Sequence, residues 1–197
     1  MLFSILHNSF LKLIFFLYLC VLIVFPLISL SDINQAINKS NTNVIFLRHA
    51  LAPGYGDPEI FRLDECETQR NLDSKGIEQA KSIGDYLKIN NIQFSEILSS
   101  EWCRCIDTAY NMDIGEWKKF EGLNSFFQNF SSKSKVLKKL ETKLKGIKSD
   151  DLVLMITHQV VISNITGISP PSGGFVLYNS LTKNALEFEP NLGAIDN

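Results

Sequence analysis

Two short apolar runs in this chain each end on a histidine. One is Val44-Ile45-Phe46-Leu47, followed by Arg48-His49. The other is Leu152-Val153-Leu154-Met155-Ile156, followed by Thr157-His158. Uninterrupted apolar runs of this length read as strands buried on both faces, as in a parallel sheet. In an open parallel sheet the ligand site lies beyond the carboxyl ends of the strands. Both imidazoles are therefore expected in one crevice. A third run, centred on Glu96-Ile97-Leu98-Ser99, ends at Ser100, and the helix after it brings Arg104 to the same edge. Two histidines with Arg48 and Arg104 make an anion pocket. Guanidinium forks match phosphate oxygens two at a time. A neutral imidazole can attack phosphorus in line, and fixed positive charge stabilises the equatorial oxygens of the group in transit. Because side chains supply that charge, this reading calls for no metal and no cofactor.

The elements that must hold these residues follow from the pattern between them. Asp73 or Ser74 can cap a helix running to about Asn90, with Ile77, Ala80, Ile83, Gly84 and Leu87 along one face. Residues 133–148 form a basic amphipathic helix with Val136, Leu137, Leu140, Leu144 and Ile147 as its buried stripe. A short helix over 160–166 follows the second histidine. Residues 173–178 and 186–188 read as a last pair of strands around a turn. Segment 50–71, punctuated by Pro53, Gly54, Gly56 and Pro58, is a loop. Segment 113–130 is an aromatic-rich connection. Strands alternating with helices define an α/β class, a three-layer α/β/α arrangement with a mostly parallel sheet.

The chain has 197 residues, 45% hydrophobic and 20% charged, with a formal net charge of -2. That charge gives nucleic-acid binding no electrostatic support. Residues 11–30 carry only Lys12, Tyr18, Cys20 and Ser29 as polar side chains, a run about long enough to cross a bilayer. Ser29-Leu30-Ser31 then puts small residues where a signal peptidase reads. The expected organisation is an N-terminal hydrophobic helix over 1–31, a polar tether over 32–42 and one domain over 43–197. The helix is a cleaved signal peptide or an uncleaved membrane anchor. Either places the domain outside the cytoplasm, as an exported, periplasmic, extracellular or membrane-anchored protein. Beyond that helix stand Cys66, Cys103 and Cys105. An oxidising compartment allows one disulfide among them and leaves one thiol over. The alternative is three small buried hydrophobes.

Leu47-Arg48-His49-Ala50 resembles the signature of the histidine phosphatase superfamily, the phosphoglycerate mutase-like proteins. Gln69-Arg70-Asn71-Leu72-Asp73 through Gly76 and Gln79-Ala80, Ser99-Ser100 with Arg104 and Asp107-Thr108-Ala109, and Thr157-His158 are similar to further segments of that family, in the same order. The resemblance implies a phosphatase that hydrolyses a phosphomonoester or related compound, on a phosphorylated small molecule or protein. His49 would become a phosphohistidine, with Arg48, Arg104 and His158 holding the phosphate and Arg70 near the mouth. A non-catalytic phosphate-binding module on the same fold is the alternative. The chain departs from the family at Ala50, where glycine is common, and in lacking an obvious acid for the leaving group, since Gln159 follows His158. Glu121 is the first choice for that acid by position. Asp57, Glu59, Asp64, Glu65 and Glu67 are its rivals, and Asn124 is a hydrogen-bonding substitute.

Overall fold

The apolar runs become neighbouring strands of one six-stranded sheet. In the computed structural model of the chain, residues 33–192 are described. They comprise α1 (Ile33–Ser40), β1 (Val44–Arg48), α2 (Ser74–Ile89), β2 (Glu96–Ser99), α3 (Cys103–Met112), β3 (Lys118–Lys119), α4 (Lys133–Lys145), β4 (Val153–Thr157), α5 (Gln159–Thr166), β5 (Phe175–Tyr178) and β6 (Ala185–Phe188). The spatial order is β3-β2-β4-β1-β5-β6. The first four strands in that order are parallel, and β5 and β6 add an antiparallel edge.

Alternation along the strands builds the layers. Ile45, Leu47, Leu154 and Ile156 face one way and pack with Ala80, Ile83 and Leu87 of α2 and Cys105, Ala109 and Met112 of α3. Val44, Phe46, Val153 and Met155 face the other way, onto Leu140 and Leu144 of α4 and Val161 and Ile162 of α5. Every residue from Val44 to Leu47 is fully buried. At about 1.5–3 kcal/mol for each large apolar side chain so buried, the strand ends that carry the histidines are anchored by the centre of the protein. Asp73 caps α2 by accepting the Gly76 N–H at 2.8 Å. The helix then lies so close to α3 that a Cβ at Gly84 would stand 1.9 Å from the Met112 carbonyl oxygen.

Most of the expected tether is the helix α1, Ile33–Ser40. Ile33 is fully buried, Ala36 nearly so, and Ile37 packs against the same core. Three apolar residues at helical spacing are enough to dock a short helix, even in an Asn-rich run. The expected signal peptide or anchor over 1–31 lies outside the described residues. Among the described residues, no helix is long and apolar enough to cross a membrane.

Candidate active site

Because β1 and β4 are direct neighbours, with Arg48 opposite Thr157, the residues that follow them emerge side by side. The His49 N–H donates to the Thr157 carbonyl at 2.9 Å. The two imidazoles meet edge-on with ring centres 5.4 Å apart. β2 flanks β4 on its other side, so Ser100 and the first turn of α3 arrive at the same edge. There they border a cavity of about 210 Å³ lined by Arg48, His49, Arg70, Arg104 and His158 among others. The four residues expected to surround one anion are thus brought together, and Arg70 joins them.

Hydrogen bonds fix the chemistry of each imidazole. His49 Nδ1 lies 2.8 Å from the Ala50 carbonyl oxygen, which can only accept, so the ring proton sits on Nδ1. The Nε2 lone pair is left for the cavity, where Arg104 Nε donates to it at 3.2 Å. His158 Nε2 is 2.9 Å from the Ser100 hydroxyl. That hydroxyl also lies 3.1 Å from Asn124 Oδ1, which accepts the Glu101 N–H at 2.9 Å. Asn124 therefore braces the second histidine from behind instead of facing a leaving group. Three buried side-chain polar atoms among the described residues lack a partner, and two of them are Arg48 Nε and His158 Nδ1. A buried polar group without a partner is costly, so two on the residues around one cavity point to a polar ligand.

Arg104 is almost wholly buried, and its guanidinium is held by a carboxylate absent from the cavity wall. Its Nη1 donates to Asp57 Oδ1 at 2.8 Å and its Nη2 to Asp57 Oδ2 at 3.1 Å. Asp57 also accepts from the Arg70 backbone N–H and from Trp102 Nε1. With its outer edge tied to Asp57, Arg104 presents its Nε edge to His49. Arg70 donates to the Gly56 and Ala52 carbonyls, and Arg48 Nη1 to Pro170 O at 3.0 Å. Three guanidinium groups against one carboxylate leave two net positive charges, the match for a phosphate monoester dianion.

Burial, and then the charge of Arg104, push both His49 and His158 well below the ordinary histidine range. Both are neutral at pH 7, as a nucleophile requires. Stability depends on pH as a result. Above pH 6.5, the usual histidine value, folded and unfolded chains bind the same protons at these sites. Below it, the unfolded chain takes up protons that the folded one refuses. Stability should fall with pH from 6.5 downward, by about 1.4 kcal/mol per pH unit for each histidine. Urea midpoints between pH 7 and 5.5 check this, and a flat profile would contradict the burial of the pair as neutral rings.

The carboxylates expected to supply the acid lie elsewhere. Glu121 takes no part in the cavity: Lys135, at 2.9 Å, and Lys139 hold it, and these lysines keep its pKa below the usual carboxylate range. Glu121 starts a short turn just before α4, and the solvent-facing lysines of that helix reach it first. Asp57 is committed to Arg104. Among the described residues, no Asp or Glu lines the cavity, and no group of three or more His, Cys, Asp and Glu side chains could hold a metal ion.

The disulfide alternatives resolve to Cys66–Cys103. It ties the loop carrying Asp57 and Arg70 to the first turn of the helix carrying Arg104. Closing a loop of 37 residues contributes about 4 kcal/mol in the chain-entropy account. Cys105 is free, and burial pushes its thiol up to about 12, so it is no nucleophile at neutral pH. Several residues of the site carried no usable signal in the sequence. Trp102, Tyr55, Ser125 and Phe127 belong to it only through loop packing, and Val160 through the first turn of α5. Gly54 and Gly56 on either side of Tyr55 were a visible sign of a shaped turn.

No family model matches the chain, and no curated protein matches it. Solved structures do. The chain is similar to a candidate alpha-ribazole-5'-P phosphatase from Escherichia coli K-12 MG1655, with 17% identity, a TM-score of 0.53 and coverage of 77% of this chain and 98% of that one. The protein TTHB049 from Thermus thermophilus is 14% identical, with a TM-score of 0.53 over 73% and 96% of the two chains. A candidate phosphohistidine phosphatase SixA from Nakamurella multipartitia is 14% identical, with a TM-score of 0.52 over 75% and 95%. At such identities the likeness shows the fold alone: this chain shares the fold of these solved proteins.

Proposed function

We propose that this protein is a phosphatase that transfers the phosphoryl group of a phosphomonoester to His49 Nε2 and then to water. The observation that carries this reading is a neutral His49 whose unprotonated Nε2 is held by Arg104, lining one small cavity with the partnerless Nε of Arg48 and Nδ1 of His158. In the first step the Nε2–P bond forms and the P–O bond breaks. The oxygen leaves with the electron pair and takes a proton from water, since no carboxylate of the described residues lines the cavity. In the second step water attacks phosphorus, the N–P bond breaks, and phosphate and neutral His49 return. The arginines neutralise the transferring group throughout, which is where most of the acceleration arises. Arg48, Arg104 and His158 hold the phosphate, and Arg70 stands at the mouth. The signal peptide or anchor, and a location outside the cytoplasm, belong to the same proposal. A disulfide beside the site supports an oxidising compartment.

The missing carboxylate favours one other reading, a module that binds phosphate without turnover. Rapid quenching with a 32P-labelled aryl phosphate separates the two. Label that is stable to base, labile to acid and located on the His49 peptide is the expected result. Tight phosphate binding with no label and no release of alcohol would establish the module instead.

A further inference from the structure

At about 210 Å³ the cavity is smaller than the usual ligand pocket of about 300–1,000 Å³, so a sizeable substrate with its phosphoryl group among the arginines and histidines extends to the cavity's mouth. Two aromatic side chains form part of that mouth, Tyr55 and Phe127, and among the described residues no charged side chain other than the arginines stands there. Tyr55 is 88% exposed. Its ring meets that of Phe127 nearly at right angles, with centres 5.3 Å apart. An exposed tyrosine alone would be ordinary on a protein surface. This one is mounted on a fixed platform.

Gly54 and Gly56 flank it with φ of +94° and +68°, a conformation that turns the intervening side chain outward and that other residues resist. Gln128 Oε1 accepts the Asp57 N–H at 2.7 Å, and its Nε2 donates to the Asp57 carbonyl at 3.1 Å. A Cβ at Gly56 would stand 2.5 Å from that same Oε1. Arg70 Nε donates to the Gly56 carbonyl at 2.8 Å. The loop carrying Tyr55 is thus joined to the segment carrying Phe127 through the Gln128 amide, and the Arg70 guanidinium braces that loop from within. An aromatic surface ordered before the ligand arrives need not be ordered on binding, and stacking on such a ring is worth about 1–3 kcal/mol for a planar group.

We propose that the site is built for phosphomonoesters whose alcohol carries an aromatic or other flat apolar group, seated against Tyr55 and Phe127. This rests on the phosphatase reading above. The described residues at the mouth offer no carboxylate for a cationic substituent. Arg70, which lines the same cavity, is already engaged by the Gly56 and Ala52 carbonyls, which disfavours a second phosphate or a carboxylate on the substrate.

The test must separate this preference from leaving-group chemistry, because aryl phosphates are intrinsically more reactive. Benzyl and naphthylmethyl phosphate should be compared with methyl and isobutyl phosphate, all of which expel primary alkoxides. For the full chain, kcat/KM should be at least about tenfold higher for the aromatic pair, mostly through KM. Tyr55→Ser and Phe127→Ser should each collapse that ratio severalfold, and Tyr55→Phe should keep it, since the ring and not the hydroxyl is used. Equal kcat/KM for both pairs in the unaltered protein, or a ratio unchanged in both serine variants, would overturn the proposal while leaving the phosphatase reading intact. No turnover of any of the four would defeat the phosphatase reading itself.

Discussion

With His49 replaced by Asn, the protein will still bind phosphate and will turn substrate over at least about 10³-fold more slowly. The expectation follows from how few groups can attack. His49 Nε2 is the imidazole nitrogen freed by a carbonyl on the far side of its ring. His158 has its Nε2 against the Ser100 hydroxyl, which leaves Nδ1 as its one unengaged nitrogen. Cys105 is held as a thiol. An asparagine amide neither attacks phosphorus nor forms an intermediate that water can open. The anion's other contacts survive the change, since Arg48, Arg104 and His158 stand on three separate elements. Vanadate or phosphate affinity should therefore stay within about tenfold, which shows that the pocket is still formed. Turnover within tenfold of the unaltered protein would mean that water attacks the substrate directly. One buried neutral histidine would also be gone, so the loss of stability below pH 6.5 should become about half as steep.

Replacing Asp57 by Ala should cost about 3–5 kcal/mol of stability and lower kcat/KM by about 10²-fold. The carboxylate accepts four hydrogen bonds, two from Arg104, one from Trp102 and one from the Arg70 backbone. Both partners of the ion pair are almost wholly buried, with side chains 4% exposed. Removing one leaves a guanidinium without its counter-charge and free to turn its fork away from His49. Asp57→Asn keeps the shape and loses the charge, so it should fall between the two. A rival role for Asp57, as the acid that protonates the leaving group, makes a different prediction. An acid variant spares p-nitrophenyl phosphate, whose leaving group needs no proton, and harms alkyl phosphates. A residue that positions Arg104 affects both alike. Melting temperature, together with kcat/KM for the two substrate types measured well below it, checks the stability loss and separates the roles. A selective loss on alkyl phosphates would return Asp57 to the list of acids.

Much of the chemistry could be read along the chain because it is local to it. A strand buried on both faces must be apolar, and the first polar residues after it mark the end where a parallel sheet binds its ligand. That is why Arg48, His49 and His158 stand out by inspection. Arg104 is visible because it opens the helix after a third such strand. Helix caps and stripes, such as Asp73 with Gly76 or Val136 with Leu140 and Leu144, are likewise decided within a few residues. The partners of these groups are not local. Asp57 reaches Arg104 across 47 positions, Cys66 chooses Cys103 over Cys105, and Gln128 clamps a loop 71 positions away. No periodicity encodes such pairings, because loops meet wherever the packed layers happen to deliver them. The same physics misplaced Glu121, whose sequence position suggests the site but whose nearest neighbours in space are two lysines of α4. It also turned an apparent tether into a docked helix, since three apolar side chains count only once there is a core for them to enter.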